Sequence, residues 1–277
     1  MENNTSLQKL HSCQLLLVEE IKRICEENNI KYFIIAGTLL GAVRHSGFIP
    51  WDDDMDIGML REDYERFINA CENQLGDKFF LQTTDTDPAY GLNFAKLLLN
   101  DTVLVERVTS KNSCRKGVYV DIFPFDSAPN EKELVSRHSK KIYYLRRLLL
   151  AKQNYSVCQK GEYIKALVYF VLKVISKFYS HDSLCNALEK EITRYNNQKT
   201  EKIVNVGGAY GYEKETLLRK WVDSTVLLSF EGMELSAPAD YKEYLEYFYG
   251  DYMTPPPKDK RYDRHNLVEL DFGPYSD

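Results

Sequence analysis

Four carboxylates fall within five residues at Asp52-Asp53-Asp54-Met55-Asp56, between Trp51 and Ile57-Gly58. Like charges set so close repel, and burying them without a counter-ion costs more still. In an extended strand side chains alternate, so Asp52, Asp54 and Asp56 point to one face and Asp53 to the other. Three carboxylates aimed at one point seat a hard divalent cation: Mg2+, one ion or two, with Mn2+ as the alternative. The bland counterpart is a solvated acidic turn. Asp52-x-Asp54-x-Asp56 also matches the opening of an EF-hand calcium loop. That loop needs Gly at its sixth position, where Ile57 stands, and Asp63 rather than Glu occupies the twelfth. The calcium loop fails on backbone grounds, and the segment predicts a half-buried strand.

The residues upstream supply something for a metal to act on. The run Lys31-Tyr32-Phe33-Ile34-Ile35 predicts a short buried strand, and Gly37-Thr38 follow it. Glycine lets the backbone approach a ligand closely, and turn N–H groups with a hydroxyl hold phosphate oxygens. Residues 38–45 predict a short helix whose N-terminus favours an anion, with Arg44 and His45 as further cationic contacts. Strand, phosphate grip and acidic strand together suit a metal-bound nucleotide or phosphodiester.

Other elements must position these groups. Leu10, Leu17, Ile21 and Ile24 recur at helical spacing and predict a helix over 6–28; Tyr64, Phe67, Ile68, Cys71 and Leu75 predict a second. Strands are expected at 79–82, 92–99 and 103–108, the last two joined as a hairpin through Asn100-Asp101. The run 118–123 alternates, with Val118, Val120 and Ile122 on one face and Tyr119, Asp121 and Phe123 on the other. A carboxylate in so apolar a strand needs a partner. Asp121 is either salt-bridged or at a solvated edge position, or it is a further metal ligand or base on a strand beside Asp54 and Asp56. Lys96 is either a surface lysine or a phosphate contact.

From 131 to 195 the pattern is helical. Its most apolar part, 163–179, carries only Lys165, Lys173 and Lys177 as charges, all within one helical sector. It reads as a helix buried in a helical subdomain or as an interfacial helix on an anionic leaflet. Residues 205–211 are glycine-rich without matching a dinucleotide fingerprint and predict a loop. A short hairpin over 226–235 and a helix through Tyr241, Tyr244, Leu245 and Phe248 follow. Pro255-Pro256-Pro257 stiffens the exit. The basic cluster of Lys258, Lys260, Arg261, Arg264 and His265 is then either a solvated tail or a return of Arg261 and His265 over the phosphates.

The run from Gly37 through Pro50, Trp51 and Asp56 to Ile57 closely resembles the signature of the LicD family, phosphocholine transferases related to fukutin-type transferases. Residues 118–124 resemble the family's second acidic strand. Residues 247–257, with Arg261 and His265, resemble its C-terminal segment. The resemblance implies an α/β (α+β) fold: a nucleotidyltransferase-like mixed sheet with flanking helices and an inserted helical subdomain. The corresponding division is a catalytic core over 1–130, a helical insertion over 131–200 and a C-terminal segment over 201–277 that completes the site.

It further implies a Mg2+-dependent transfer of phosphocholine from CDP-choline to a sugar hydroxyl of a lipid-linked cell-surface glycan, a teichoic acid or lipopolysaccharide precursor. Asp54, Asp56 and Asp121 would be catalytic and metal-binding, with Asp52 as an additional ligand. Gly37, Thr38, Arg44, His45, Lys96, Arg261 and His265 would hold phosphates. The alternatives are transfer of a polyol phosphate, a DxD nucleotide-sugar glycosyltransferase, and an inactive scaffold subunit.

Composition sets bounds on these readings. The 277 residues carry 36 basic and 41 acidic side chains, a net charge of −5, which argues against a nucleic-acid partner. Six scattered cysteines without a CxxC pair predict reduced thiols. A polar N-terminus and no long uncharged apolar run predict a cytoplasmic chain without a membrane span. Segment 163–179 is then the candidate peripheral contact with the inner membrane face. Among 20 tyrosines and 13 phenylalanines, a few suffice to line a pocket for a quaternary ammonium.

Overall fold

The structure, a computed structural model, describes residues 2–158, 161–198, 200–261 and 266–276. Helix α1 (Glu2–Glu27) buries its stripe of Leu10, Leu17, Ile21 and Ile24. Strand β1 (Phe33–Ile34) leads into α2 (Ala36–His45), then β2 (Asp56–Leu60) and α3 (Arg61–Gln74). Next come β3 (Phe79–Gln82), β4 (Ala95–Leu99), β5 (Val103–Glu106) and the long β6 (Tyr119–Ala128). The main sheet has the order β1-β2-β6-β4-β3, with β2 and β6 parallel and the other neighbours antiparallel. Mixed α and β structure around this sheet is the expected α+β class.

Side-chain alternation divides the sheet into two faces. Ile57, Met59, Val120, Ile122, Ala95 and Leu97 are all fully buried, on the face against which α1 and α3 pack. The opposite face carries Asp56, Asp121, Lys96 and Phe123. Pro124 lies within β6 but beyond the stretch 119–122 that β4 pairs, so its missing N–H costs no bond on that side.

The far end of β6 extends the same sheet to seven strands. Residues 126–128 pair with β7 (Lys202–Val204), which pairs in turn with β8 (Thr216–Leu218). Between β6 and β7 run α4 (Lys132–Lys152), α5 (Tyr163–Ser176) and α6 (His181–Ile192). Helices α4 and α6 share a small core of their own with Val204 and Val206. Arg61 ties α6 to the sheet, its guanidinium forked onto Asp126 at 2.8 and 2.7 Å and reaching Glu189 at 2.6 Å. The chain closes with the hairpin β9 (Thr225–Phe230) and β10 (Met233–Pro238), helix α7 (Tyr241–Tyr249) and β11 (Leu267–Asp271).

Three expectations need correction. Strand β2 begins at Asp56, not at Asp52: Asp52 N–H turns back onto the Ile49 carbonyl at 2.9 Å, and the ladder begins where Asp121 N–H meets the Met55 carbonyl at 3.0 Å. The 52–55 stretch nevertheless alternates, with Asp53 and Met55 buried and Asp52 and Asp54 half-buried. Asn100-Asp101 does turn, with Asp101 in the left-handed region, but β4 and β5 do not form a hairpin. Strand β5 leaves the main sheet and pairs with β11 instead. Finally, the 163–179 helix is not core: of α5, only Ser176 is buried.

Candidate functional site

Register assembles the site. Asp56 of β2 stands opposite Asp121 of β6, and Asp121 stands opposite Lys96 of β4. The three side chains therefore form one row across three adjacent strands, on the face away from α1. Lys96 is not a surface lysine. It is 7% exposed, its Nζ is 2.7 Å from Asp121 Oδ1, and the same ammonium lies 3.2 Å from the centre of the Tyr119 ring. Tyr119 in turn donates its hydroxyl to the buried Glu106. Burial pushes the Asp121 carboxyl up to about 6; Lys96 opposes the shift, while Glu106 and Asp54 add to it. Asp121 is thus salt-bridged to Lys96, and it lies close enough to the acidic run to feel the Asp54 charge.

The acidic run lies at the edge of this row. Asp52, Asp53 and Asp54 each present an oxygen within 4.8 Å of the others, an all-oxygen group of the kind that suits Mg2+. Asp53 belongs to this group although alternation alone turned it away. The backbone here is held from α1: His11 Nε2 donates to the Asp52 carbonyl and Gln14 Nε2 to the Asp53 carbonyl, both at 2.8 Å. The His11 ring is fixed by stacking on Phe48 at 3.7 Å. His11 and Gln14, three apart on one helix, escaped sequence reasoning, since nothing along the chain points to a partner some 40 residues on.

The Gly-Thr pair has two distinct positions. A Cβ added to Gly37 would lie 2.3 Å from Asp52 Oδ2, so the carboxylate occupies the space a side chain would fill. Gly41 is similarly constrained, by the Gly47 carbonyl at 2.4 Å from its would-be Cβ. Thr38 is buried, and its hydroxyl accepts the Asp56 N–H at 2.8 Å. Thr38 therefore fixes the first residue of β2.

The C-terminal elements return to the same place. Arg261 lies 5.1 Å above the Trp51 ring and donates to the Pro256 carbonyl at 2.7 Å, so the proline-stiffened exit brings it beside the acidic run. Arg44 donates to the Tyr252 carbonyl at 3.0 Å. Burial lowers the pKa of its guanidinium, the nearby Arg261 adds to that, and Asp52 opposes it. His45 lies 3.5 Å from Arg44 at the far end of α2, its pKa lowered by burial and by Arg44. His265 lies outside the described residues. Burial raises the phenols of Tyr244 and Tyr249 of α7 well above their usual value, and the Asp56 charge adds to it. Gly207, in the predicted loop, packs on Phe94 and Phe123 of the site face.

Comparison with known proteins places the chain in a family. The LicD/FKTN/FKRP nucleotidyltransferase domain matches residues 29–159, which span the acidic run, Lys96 and Asp121. The chain is 30% identical over 257 residues to the lipopolysaccharide cholinephosphotransferase LicD of Haemophilus influenzae, covering 91% of this chain and 92% of that protein. It is 29% identical over 117 residues to the human ribitol 5-phosphate transferase FKRP, covering 41% of this chain and 21% of that protein. An uncharacterised protein of Rickettsia prowazekii is 40% identical over 84 residues, 24% of this chain and 32% of that one. The chain belongs to the LicD family of phosphotransferases.

Proposed function

We propose that this phosphotransferase moves phosphocholine from CDP-choline to a sugar hydroxyl of a lipid-linked cell-surface glycan, a teichoic acid or lipopolysaccharide precursor, and releases CMP. The similarity to a lipopolysaccharide cholinephosphotransferase along nine-tenths of the chain carries this reading. The acceptor oxygen attacks the choline-bearing phosphorus. The phosphoanhydride bond breaks, CMP leaves with its electron pair, and the hydroxyl proton passes to the enzyme.

Asp54 and Asp56, with Asp52 and Asp121, would hold one or two Mg2+ ions; Asp52 and Asp54, with Asp53, supply the all-oxygen group that fits that ion. When bound, the metal neutralises pyrophosphate charge as a Lewis acid. Asp121, with its carboxyl near pH 6 and so mostly ionised at neutral pH, is poised to take the acceptor proton. Lys96, 2.7 Å away, holds that carboxylate in its anionic form beforehand. Gly37 presents bare backbone at the start of α2, Thr38 holds Asp56 in place, and Arg44 and Arg261 supply positive charge beside Asp52. His45 and His265 complete the proposed phosphate contacts.

The test is incubation of the purified chain with Mg2+, CDP-choline and a lipid-linked glycan, with product analysis by mass spectrometry. Choline phosphate on a sugar supports the reading. Transfer only from CDP-ribitol would assign the chain to the chemistry named for FKRP. A new glycosidic bond would point to a nucleotide-sugar donor. Donors left intact under all conditions would leave a scaffold.

A further inference from the structure

Helix α5 is amphipathic the wrong way round for a soluble domain. A surface helix normally turns its apolar stripe to the core. Here Tyr163 is 82% exposed, Ile164 81%, Leu167 65% and Phe170 63%, and Phe178 just beyond the helix is 85% exposed. Contiguous apolar surface of this size marks an interaction site.

The helix is nonetheless firmly seated. Tyr169 donates its hydroxyl to the carbonyls of Leu150 at 3.1 Å and Tyr155 at 2.6 Å. Lys152 donates to the Tyr179 carbonyl at 2.8 Å, and Ser176 is buried. The polar contacts point inward and the apolar side chains outward.

Charge identifies the occupant. Residues 163–179 contain no acid, and Lys165, Lys173 and Lys177 are exposed, Lys165 being paired with Glu162 just before the helix. Beside the helix, a cavity of about 760 Å³ between α4 and the 206–212 loop is lined by Lys140, Arg146, Arg147, Tyr143 and Tyr144. Among the described residues these three cations form no salt bridge, and the two tyrosines are more than half exposed. The cavity reaches Leu150, whose carbonyl anchors Tyr169, so the basic cleft adjoins the stretch of α4 on which α5 is seated. A second copy packed symmetrically here would bring two lysine rows together with no acid on either α5. An anionic lipid leaflet complements both features. With 14 residues, α5 is too short to span a bilayer, and no described helix is long and apolar enough to do so.

We propose that α5, with Tyr143 and Tyr144 of α4, docks the protein onto an anionic membrane leaflet, with the helix lying in the interfacial plane and the basic cleft against the lipid phosphates. The acidic row is one loop away, because Gly207 packs on Phe123 while Gly208 lines the cleft. On the functional reading above, that arrangement suits an acceptor carried on a lipid; the docking itself does not depend on the donor.

Flotation of the intact chain with phosphatidylcholine vesicles, with and without phosphatidylglycerol, tests the proposal. The chain should float only with the anionic vesicles. Leu167→Glu with Phe170→Glu should lower the bound fraction at least about tenfold. Glutamine at Lys165, Lys173 and Lys177 should weaken binding by about fivefold per lysine. Circular dichroism should show both variants folded, since the replaced side chains are exposed. A chain that ignores both vesicle types, or that floats undiminished after the substitutions, overturns the proposal. So does a stable dimer in sedimentation equilibrium that Leu167→Glu with Phe170→Glu dissociates, which would assign the face to a second copy.

Discussion

Asp56 and Asp121 stand directly opposite one another on adjacent parallel strands, and Lys96 takes the next place in the same row. In the proposed reaction the row would divide the labour between the two carboxylates. Asp56, half-buried next to the acidic run, is a metal ligand in the proposed reaction; Asp121, held by Lys96, is the base. Asp56→Asn or Asp54→Asn should weaken Mg2+ binding in calorimetry and cut CMP release from CDP-choline by at least about a hundredfold. Asp121→Asn should cut turnover as severely while moving Mg2+ affinity less. Full activity in Asp54→Asn and Asp56→Asn alike would sink the metal assignment.

Lys96 is the counter-ion that makes a buried Asp121 tolerable. Lys96→Met removes it and leaves an ionised carboxylate among Tyr119, Phe94 and Glu106. The expected loss of stability at pH 8 is about 3 kcal/mol. Without the ammonium, the Asp121 carboxyl rises further above the value of about 6 it has in the native protein. Its folded-state pKa then lies well above that of the unfolded chain, so the penalty applies at high pH and fades as pH falls and Asp121 takes up a proton. Urea denaturation at pH 8 and pH 5 should show the gap between variant and native protein narrowing at the lower pH. An equal gap at both would mean that Lys96 contributes packing only.

Gly37 and Thr38 should fail in different ways. The methyl of Gly37→Ala lands on the Asp52 carboxylate, a side-chain end that can swing aside. The fold should survive with a nearly unchanged melting midpoint, while CMP release falls about tenfold as Asp52 leaves its place. Thr38→Val removes the acceptor of the Asp56 N–H within a buried site and should cost about 1–3 kcal/mol in stability, with Thr38→Ser restoring most of it. If Gly37→Ala lost stability and kept activity, Gly37 would be a folding residue alone.

Much of this site was legible because it is local. The acidic run, the Gly-Thr pair and the two faces of 118–123 all follow from residue type and period two, and register then joins Asp56 to Asp121. What the sequence hid is non-local. Nothing along 103–108 shows that its partner is 267–271, so the Asn100-Asp101 turn suggested a hairpin that does not form. Glu106, which receives the Tyr119 hydroxyl, carries no periodic signal, and neither do His11 and Gln14. Helix α5 was left open for another reason: apolar periodicity marks a face that avoids water, and core and membrane meet that need equally well.

Glu215 is a buried carboxylate in the wall of the site's glycine loop. It accepts the Tyr210 N–H at 3.0 Å and lies directly under Gly208, whose added Cβ would meet its carboxylate at 2.1 Å. Burial raises its carboxyl to about 7, against the pull of the Tyr210 N–H, Arg146 and Lys214. The unfolded chain releases this proton near the ordinary glutamate value of 4.5, so between pH 4.5 and 7 the folded state holds a proton that the unfolded state has lost. Stability from this group is therefore complete below about pH 4.5, declines across that window and is flat above it. Glu215→Gln is neutral throughout and can still accept the Tyr210 N–H. It should be more stable than the native protein by about 1–2 kcal/mol at pH 8 and no more stable at pH 4.5. Melting midpoints of both proteins at the two pH values provide the measurement. A glutamine variant less stable at pH 8 would show that Arg146 and Lys214 hold Glu215 as an ion pair, and that its charge supports the loop.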